Sequence, residues 1–157
     1  MSETAQNLSD VPAINKFLSL CRIRKVPQKT VVIHAGDLPD ILYYIVDGSV
    51  EVMIEDEDGN EMVLSYLNKG EFFGEMGLFY ERPTRSAWVR TRGECEIAEM
   101  TYPRFRQIAR ESPGLIFELV SRMGVPAGLG GLLTVIVLGV SMLSTFDPAI
   151  GPLVPVR

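Results

Sequence analysis

Residues 41–67 read ILYYIVDGSVEVMIEDEDGNEMVLSYL. Short apolar runs, with a period of two in SVEV (49–52), follow one another, and Gly48 and Gly59 each stand beside an aspartate between them. That pattern predicts short strands joined by tight turns. It recurs on either side, in VVIHAGD (31–37) and SAWVRTRGECEIAEM (86–100). Gly36, Gly48, Gly59, Gly70 and Gly93 punctuate the region at intervals of 11 to 23 residues, each beside Asp, Glu, Ser or Lys. Turn signals at this spacing predict a mainly β fold, a small barrel or jelly roll. The acidic run EDEDG (55–59) reads as a solvated hairpin tip, since it lacks the twelve-residue calcium-loop pattern.

Helical periods flank the strands. Asp10 is placed to cap a first helix, along which Ile14, Phe17, Leu18 and Cys21 recur on one face. After Met100, Tyr102, Phe105, Ile108 and Ala109 share a face, and Ser112-Pro113 then restarts a helix that runs toward Met123.

Composition narrows the function. A chain of 157 residues, 46% apolar and 22% charged, can bury one ordinary core and is not disordered. A formal charge of −5 gives no hint of the basic face of a duplex-DNA reader. Cys21 and Cys95 have no short spacing, so neither a disulfide framework nor a zinc site follows. His34, the one histidine, can build neither a metal site nor a triad and reads as a packed or turn-side residue. The polar start, MSETAQNLSD, is not a signal peptide. No Walker loop, pair of catalytic acids or metal cluster is visible, so no enzyme is expected.

The stretch with chemical content is FFGEMGLFYERPTRSAW, residues 72–88. Gly74 and Gly77 leave backbone amides uncovered for an anion, and GEMGLF is long enough for one helical turn. Arg85 offers the planar, charge-assisted fork suited to phosphate oxygens, and Ser86 adds a hydroxyl and an amide beside it. A carboxylate at Glu75 accepts from a hydroxyl but repels phosphate. The pair suits a ligand with both groups, a sugar hydroxyl for Glu75 and one phosphate for Arg85. On the residues alone, an ion pair tying a loop to a strand stays open as the other reading.

From Phe17 to Met123, about two-thirds of the chain, the sequence resembles the N-terminal domain of the bacterial catabolite activator (cyclic-AMP receptor) family. LYYIVDGSVEV, DGNEMVLSYLNKGEFFGEMGLF, TRSAWVR and CEIAEMTYPRFRQIA carry the likeness, and GEMGLF followed by RSA is its most specific part. The resemblance implies a cyclic-nucleotide-binding β-roll with flanking helices, in a non-catalytic regulatory domain for cyclic AMP. It implies that Glu75 takes the ribose 2′-hydroxyl and Arg85 the exocyclic phosphate oxygens. Gly74, the Met76 backbone and Ser86 would complete the cradle with Gly77 and Ala87, and Val63, Leu64 and Leu78 would lie near sugar and base. Arg-Ser-Ala, rather than Arg-Thr-Ala, is similar to the cyclic-AMP-binding members. Arg22, Arg24 and Arg104 resemble the family's basic polymerase-contact surface, with a plain solvated patch as the alternative.

The likeness stops near Met123. Residues 1–123 hold 14 of the 15 Lys and Arg and 19 of the 20 Asp and Glu, so the domain ends there and 124–157 is an apolar, Gly/Pro-rich tail. Pro126 and three nearby glycines interrupt any helix continuing from the domain. No recognition helix follows, so sequence-specific DNA binding is not expected. Residues 124–146 are 23 uncharged residues, long enough to span a bilayer. Three readings follow: a span that tethers a cytoplasmic β-roll to the inner face of the membrane, a segment packed on the β-roll or on a second copy in a homodimer, or a tail with no selected role. A ligand-free interaction module is the rival to the sensor reading.

Overall fold

The computed structural model describes residues 11–79 and 84–123. Among the described residues are eight strands and four helices: α1 (Pro12–Ser19), β1 (Arg22–Val26), β2 (Val31–Ile33), β3 (Ile41–Asp47), β4 (Ser49–Glu55), β5 (Glu61–Asn68), β6 (Phe72–Phe73), α2 (Met76–Phe79), β7 (Trp88–Thr91), β8 (Cys95–Thr101), α3 (Tyr102–Glu111) and α4 (Pro113–Ser121). The strands form two antiparallel four-stranded sheets, ordered β1-β8-β3-β6 and β2-β7-β4-β5. This is the mainly β architecture that the period-two runs predict, a β-roll with helices before and after it in the chain.

Opposite faces of β3 show why ILYYIV is apolar at nearly every position. Tyr43 and Ile45 join Val26, Ile33, Val50, Phe73, Val89, Cys95 and Ile97 in the core of the roll. Tyr44, on the other face, meets Phe72 edge-on at 4.9 Å, and Phe72 meets Phe17 of α1 at 5.4 Å. Both faces are thus removed from water, so β3 loses the polar alternation of a half-solvated strand.

The turn glycines behave as expected at four positions. Gly36, Gly48, Gly59 and Gly70 have φ between 82° and 91°, where a side chain is strained. At the EDEDG tip, Asp56 Oδ1 accepts from the amides of Asp58 and Asn60 at 2.9 and 2.8 Å, which makes this run a self-bonded hairpin turn. Between β4 and β5 the register slips: Val52 faces Ser65 and Met53 faces Val63, so Leu64 is the extra residue of a bulge.

Two readings need correction. The N-cap of α1 is Val11 and makes no side-chain bond, with Pro12 opening the first turn; Asp10 lies outside the described residues. Cys21 falls beyond the end of α1 rather than on its face. Arg22 and Arg24, expected on a basic surface, lie on β1, which pairs along its length with β8; Arg22 is exposed and Arg24 meets Glu99 at 2.5 Å. His34 is turn-side, its Nδ1 at 3.6 Å from Asp37, and both side chains are exposed.

Two compact units divide the chain, Met1–Tyr102 and Pro103–Arg157. In the second, α4 begins after Ser112 with Pro113 in its first turn, and buries Ile116, Leu119 and Val120. Phe105, Ile108 and Ala109 of α3 are buried as their spacing predicts. The stretch 124–146 lies outside the described residues, and among those described no helix is long and apolar enough to cross a membrane.

Candidate functional site

Gly74 leaves β6 with φ 75°, and its conformation is dictated by crowding as much as by the turn. A Cβ there would sit 2.8 Å from Tyr43 Cδ2, 3.0 Å from the Ile41 carbonyl oxygen and 3.3 Å from Arg85 Nη1. Gly77 is crowded too: a Cβ would fall 2.4 Å from Pro39 Cβ. Both glycines are therefore required by protein packing. The helical turn that follows, α2, spans only Met76–Phe79, and its Leu78 amide bonds back to the Glu75 carbonyl at 2.9 Å.

Arg85 arrives from the far side. Its amide donates to the Asp37 carbonyl at 2.7 Å, and the Gly36 amide donates to the Arg85 carbonyl at 2.8 Å. Those two bonds fix its backbone to the loop between β2 and β3. The side chain is turned inward, and the residue is only 9% exposed. Nη1 donates to the Gly74 carbonyl at 2.9 Å and to the Tyr102 hydroxyl at 3.2 Å, and Nη2 donates to the Ile41 carbonyl at 2.7 Å. A guanidinium has five donors. Nε–H and the second Nη2–H have no partner among the described residues.

The charge balance is unusual. Buried charges are ordinarily paired, because a solvation loss of several kcal/mol must be offset. No carboxylate of a described residue lies within 4.0 Å of Arg85. The ion pair between Glu75 and Arg85 is therefore not formed, and neutral carbonyls hold the cation. Glu75 is half-buried, and burial raises its carboxyl above the ordinary value; a hydrogen bond to its own amide and the field of Arg85 pull the other way. The two groups thus sense each other without touching.

Sequence reasoning named ten residues. Gly74 and Arg85 are in direct contact, and Glu75 lies within the arginine's field. Met76 is 41% exposed, Gly77 and Leu78 are half-buried, Ser86 is exposed and Ala87 half-buried. Val63 and Leu64 are 40% and 55% exposed on β5, an edge strand of the other sheet, and no hydrogen bond ties them to Gly74 or Arg85. A separate cleft of about 310 Å³, lined by Lys29, Glu51, Arg90, Thr91 and Arg92, contains none of the ten. Two contributors were missed. Ile41 acts through its carbonyl, which any residue would supply. The helical spacing places Tyr102 on an apolar face, and its phenol, which needs a hydrogen-bond partner when buried, is the one signal of its role in the sequence.

With this geometry in hand, the chain can be compared with known proteins. The family described as cyclic nucleotide-binding domain matches residues 23–112, more than half of the chain. The cAMP-activated global transcriptional regulator CRP of Salmonella typhimurium is 52% identical over 112 residues, covering 71% of this chain and 53% of that protein. The chain spans about half the length of the curated relatives it matches. Among solved structures, the c-di-GMP responsive global regulator CLP of Xanthomonas campestris superposes with a TM-score of 0.70 at 37% identity, over 88% of this chain and 66% of that one. The catabolite activator protein of Thermus thermophilus gives 0.64 at 27% identity, over 87% of this chain and 61% of that one.

Proposed function

We propose that this chain, which belongs to the cyclic nucleotide-binding domain family and matches its catabolite-activator branch, is a non-catalytic sensor of cyclic AMP. The observation that carries the reading is Arg85, a buried cation with no carboxylate partner among the described residues and two N–H donors left over. A cyclic phosphodiester has one negative charge and two free oxygens, which one guanidinium edge meets without a metal. Glu75, too close for a second phosphate, accepts from the ribose 2′-hydroxyl. Gly74, the Met76 backbone and Ser86 complete the phosphate cradle with Gly77 and Ala87, and Val63, Leu64 and Leu78 meet sugar and base. Regulation of transcription, which the relatives' names state, comes to this chain as part of the same proposal.

Calorimetry tests it. Cyclic AMP should bind the parent chain, and Arg85→Leu should weaken binding by about 3 kcal/mol, about a hundredfold. Equal affinity in parent and variant would remove Arg85 from the site. Cyclic GMP and cyclic di-GMP are the necessary comparisons, the second because the Xanthomonas regulator is described as responsive to it.

A further inference from the structure

Tyr102 is the last residue of the first compact unit, and its contacts converge on the phosphate end of the proposed site. The residue is 3% exposed, and its amide donates to the Asp40 carbonyl at 2.9 Å. Its hydroxyl donates to the Gly74 carbonyl and accepts from Arg85 Nη1. Nη1 also donates to that same carbonyl, so the three groups close a triangle.

The triangle decides which edge of the guanidinium is available. Nη1 is held from two sides, and one hydrogen of Nη2 is taken by Ile41. The remaining Nε–H and Nη2–H belong to adjacent nitrogens, the arrangement that grips two oxygens of one phosphate. Without the phenol, Nη1 keeps only the Gly74 carbonyl and Nη2 only the Ile41 carbonyl, so one of three restraints on the guanidinium plane is lost and the free edge is aimed less firmly.

We infer that Tyr102 is a positioning residue for cyclic-nucleotide recognition: its hydroxyl locks Nη1 of Arg85 against the Gly74 carbonyl and so presents the Nε/Nη2 edge to the ligand phosphate. This rests on the sensor reading above. Tyr102 acts through Arg85 and makes no demand on the ligand itself. Pre-setting the fork removes an ordering cost from binding.

The test is a double-mutant cycle on the full chain with cyclic AMP as the probe. Tyr102→Phe keeps the ring and removes the hydroxyl, and it should weaken binding about tenfold. Added to Arg85→Leu, it should cause no further loss. A loss of the same size in both backgrounds would assign the hydroxyl to the ligand or to general folding and overturn the inference, as would unchanged affinity in Tyr102→Phe alone. If the parent chain itself binds no cyclic AMP, the sensor reading falls and this inference with it. A second measurement reads Arg85 directly. Nitrogen-15 NMR of the arginine side chains should show slow rotation about the Cζ–Nη bonds in the ligand-free parent and fast rotation in Tyr102→Phe; fast rotation in both would show that nothing is locked.

Discussion

Glu75 is a residue whose environment opposes its charge. Burial raises its carboxyl above the ordinary value, and neither the bond to its own amide nor the Arg85 field reverses the direction. The folded state therefore holds that proton more tightly than the unfolded chain does. The resulting stability is complete below the unfolded carboxyl's pKa, about 4, and is lost as pH rises through the higher folded value. Glu75→Gln removes the loss. In urea titrations without ligand, it should raise the unfolding midpoint relative to the parent at pH 7 and lose that advantage at pH 4. An advantage equal at both pH values would mean that the carboxyl titrates normally. The same change should weaken cyclic AMP binding about tenfold, because a neutral amide accepts from a hydroxyl less strongly than a carboxylate does. A site that binds better when ionised is thus kept at a cost to the empty protein.

At the scale of elements, the β6–α2 corner shows how a backbone turn and a side chain are fixed together. Gly74 and Gly59 both have positive φ, 75° and 82°, but only Gly74 is crowded; around Gly59 nothing lies within 4 Å. Gly59→Ala should cost about 1–2 kcal/mol, the left-handed penalty alone. Gly74→Ala adds overpacking against Tyr43 and Ile41, for a total of about 2–5 kcal/mol, and displaces Arg85 as well. Chemical denaturation of the two variants separates these terms, and equal losses would show that the crowding relaxes freely. The contrast also marks what the sequence could say. Strand period and turn glycines report local backbone preference, so β2, β3, β4, β5, β7, β8 and four of the five spaced glycines are legible. In RIRKV the two apolar residues, Ile23 and Val26, stand three apart among three cations, so β1 carries no period-two signal. Glu75 and Arg85 were legible as charges in an apolar setting. The carbonyls of Gly74 and Ile41 were not, because an acceptor on the main chain has no letter of its own.

For the molecule as a whole, the described cassette residues and Tyr102 fall inside the first compact unit, Met1–Tyr102. A ligand that binds only the folded roll must therefore stabilise that unit by mass action, whatever the remainder of the chain does. At a cyclic AMP concentration one hundred times the dissociation constant, the gain is about 2.7 kcal/mol. For a unit of this size that corresponds to a rise in melting temperature of about 10 °C or more. At that same concentration, an Arg85→Leu chain that binds a hundredfold more weakly is only half-saturated, and its gain falls to about 0.4 kcal/mol, roughly 2 °C. Comparing the two shifts, rather than the two melting temperatures, cancels the intrinsic effect of the substitution. That matters because removing the guanidinium takes the Nη2 donor from the Ile41 carbonyl and leaves only the Tyr102 hydroxyl on the Gly74 carbonyl, a loss of about 1–3 kcal/mol before any ligand is added. A parent chain whose melt does not move in millimolar cyclic AMP would favour the ligand-free interaction module. A shift of equal size in both chains would leave the nucleotide bound but take Arg85 out of its recognition.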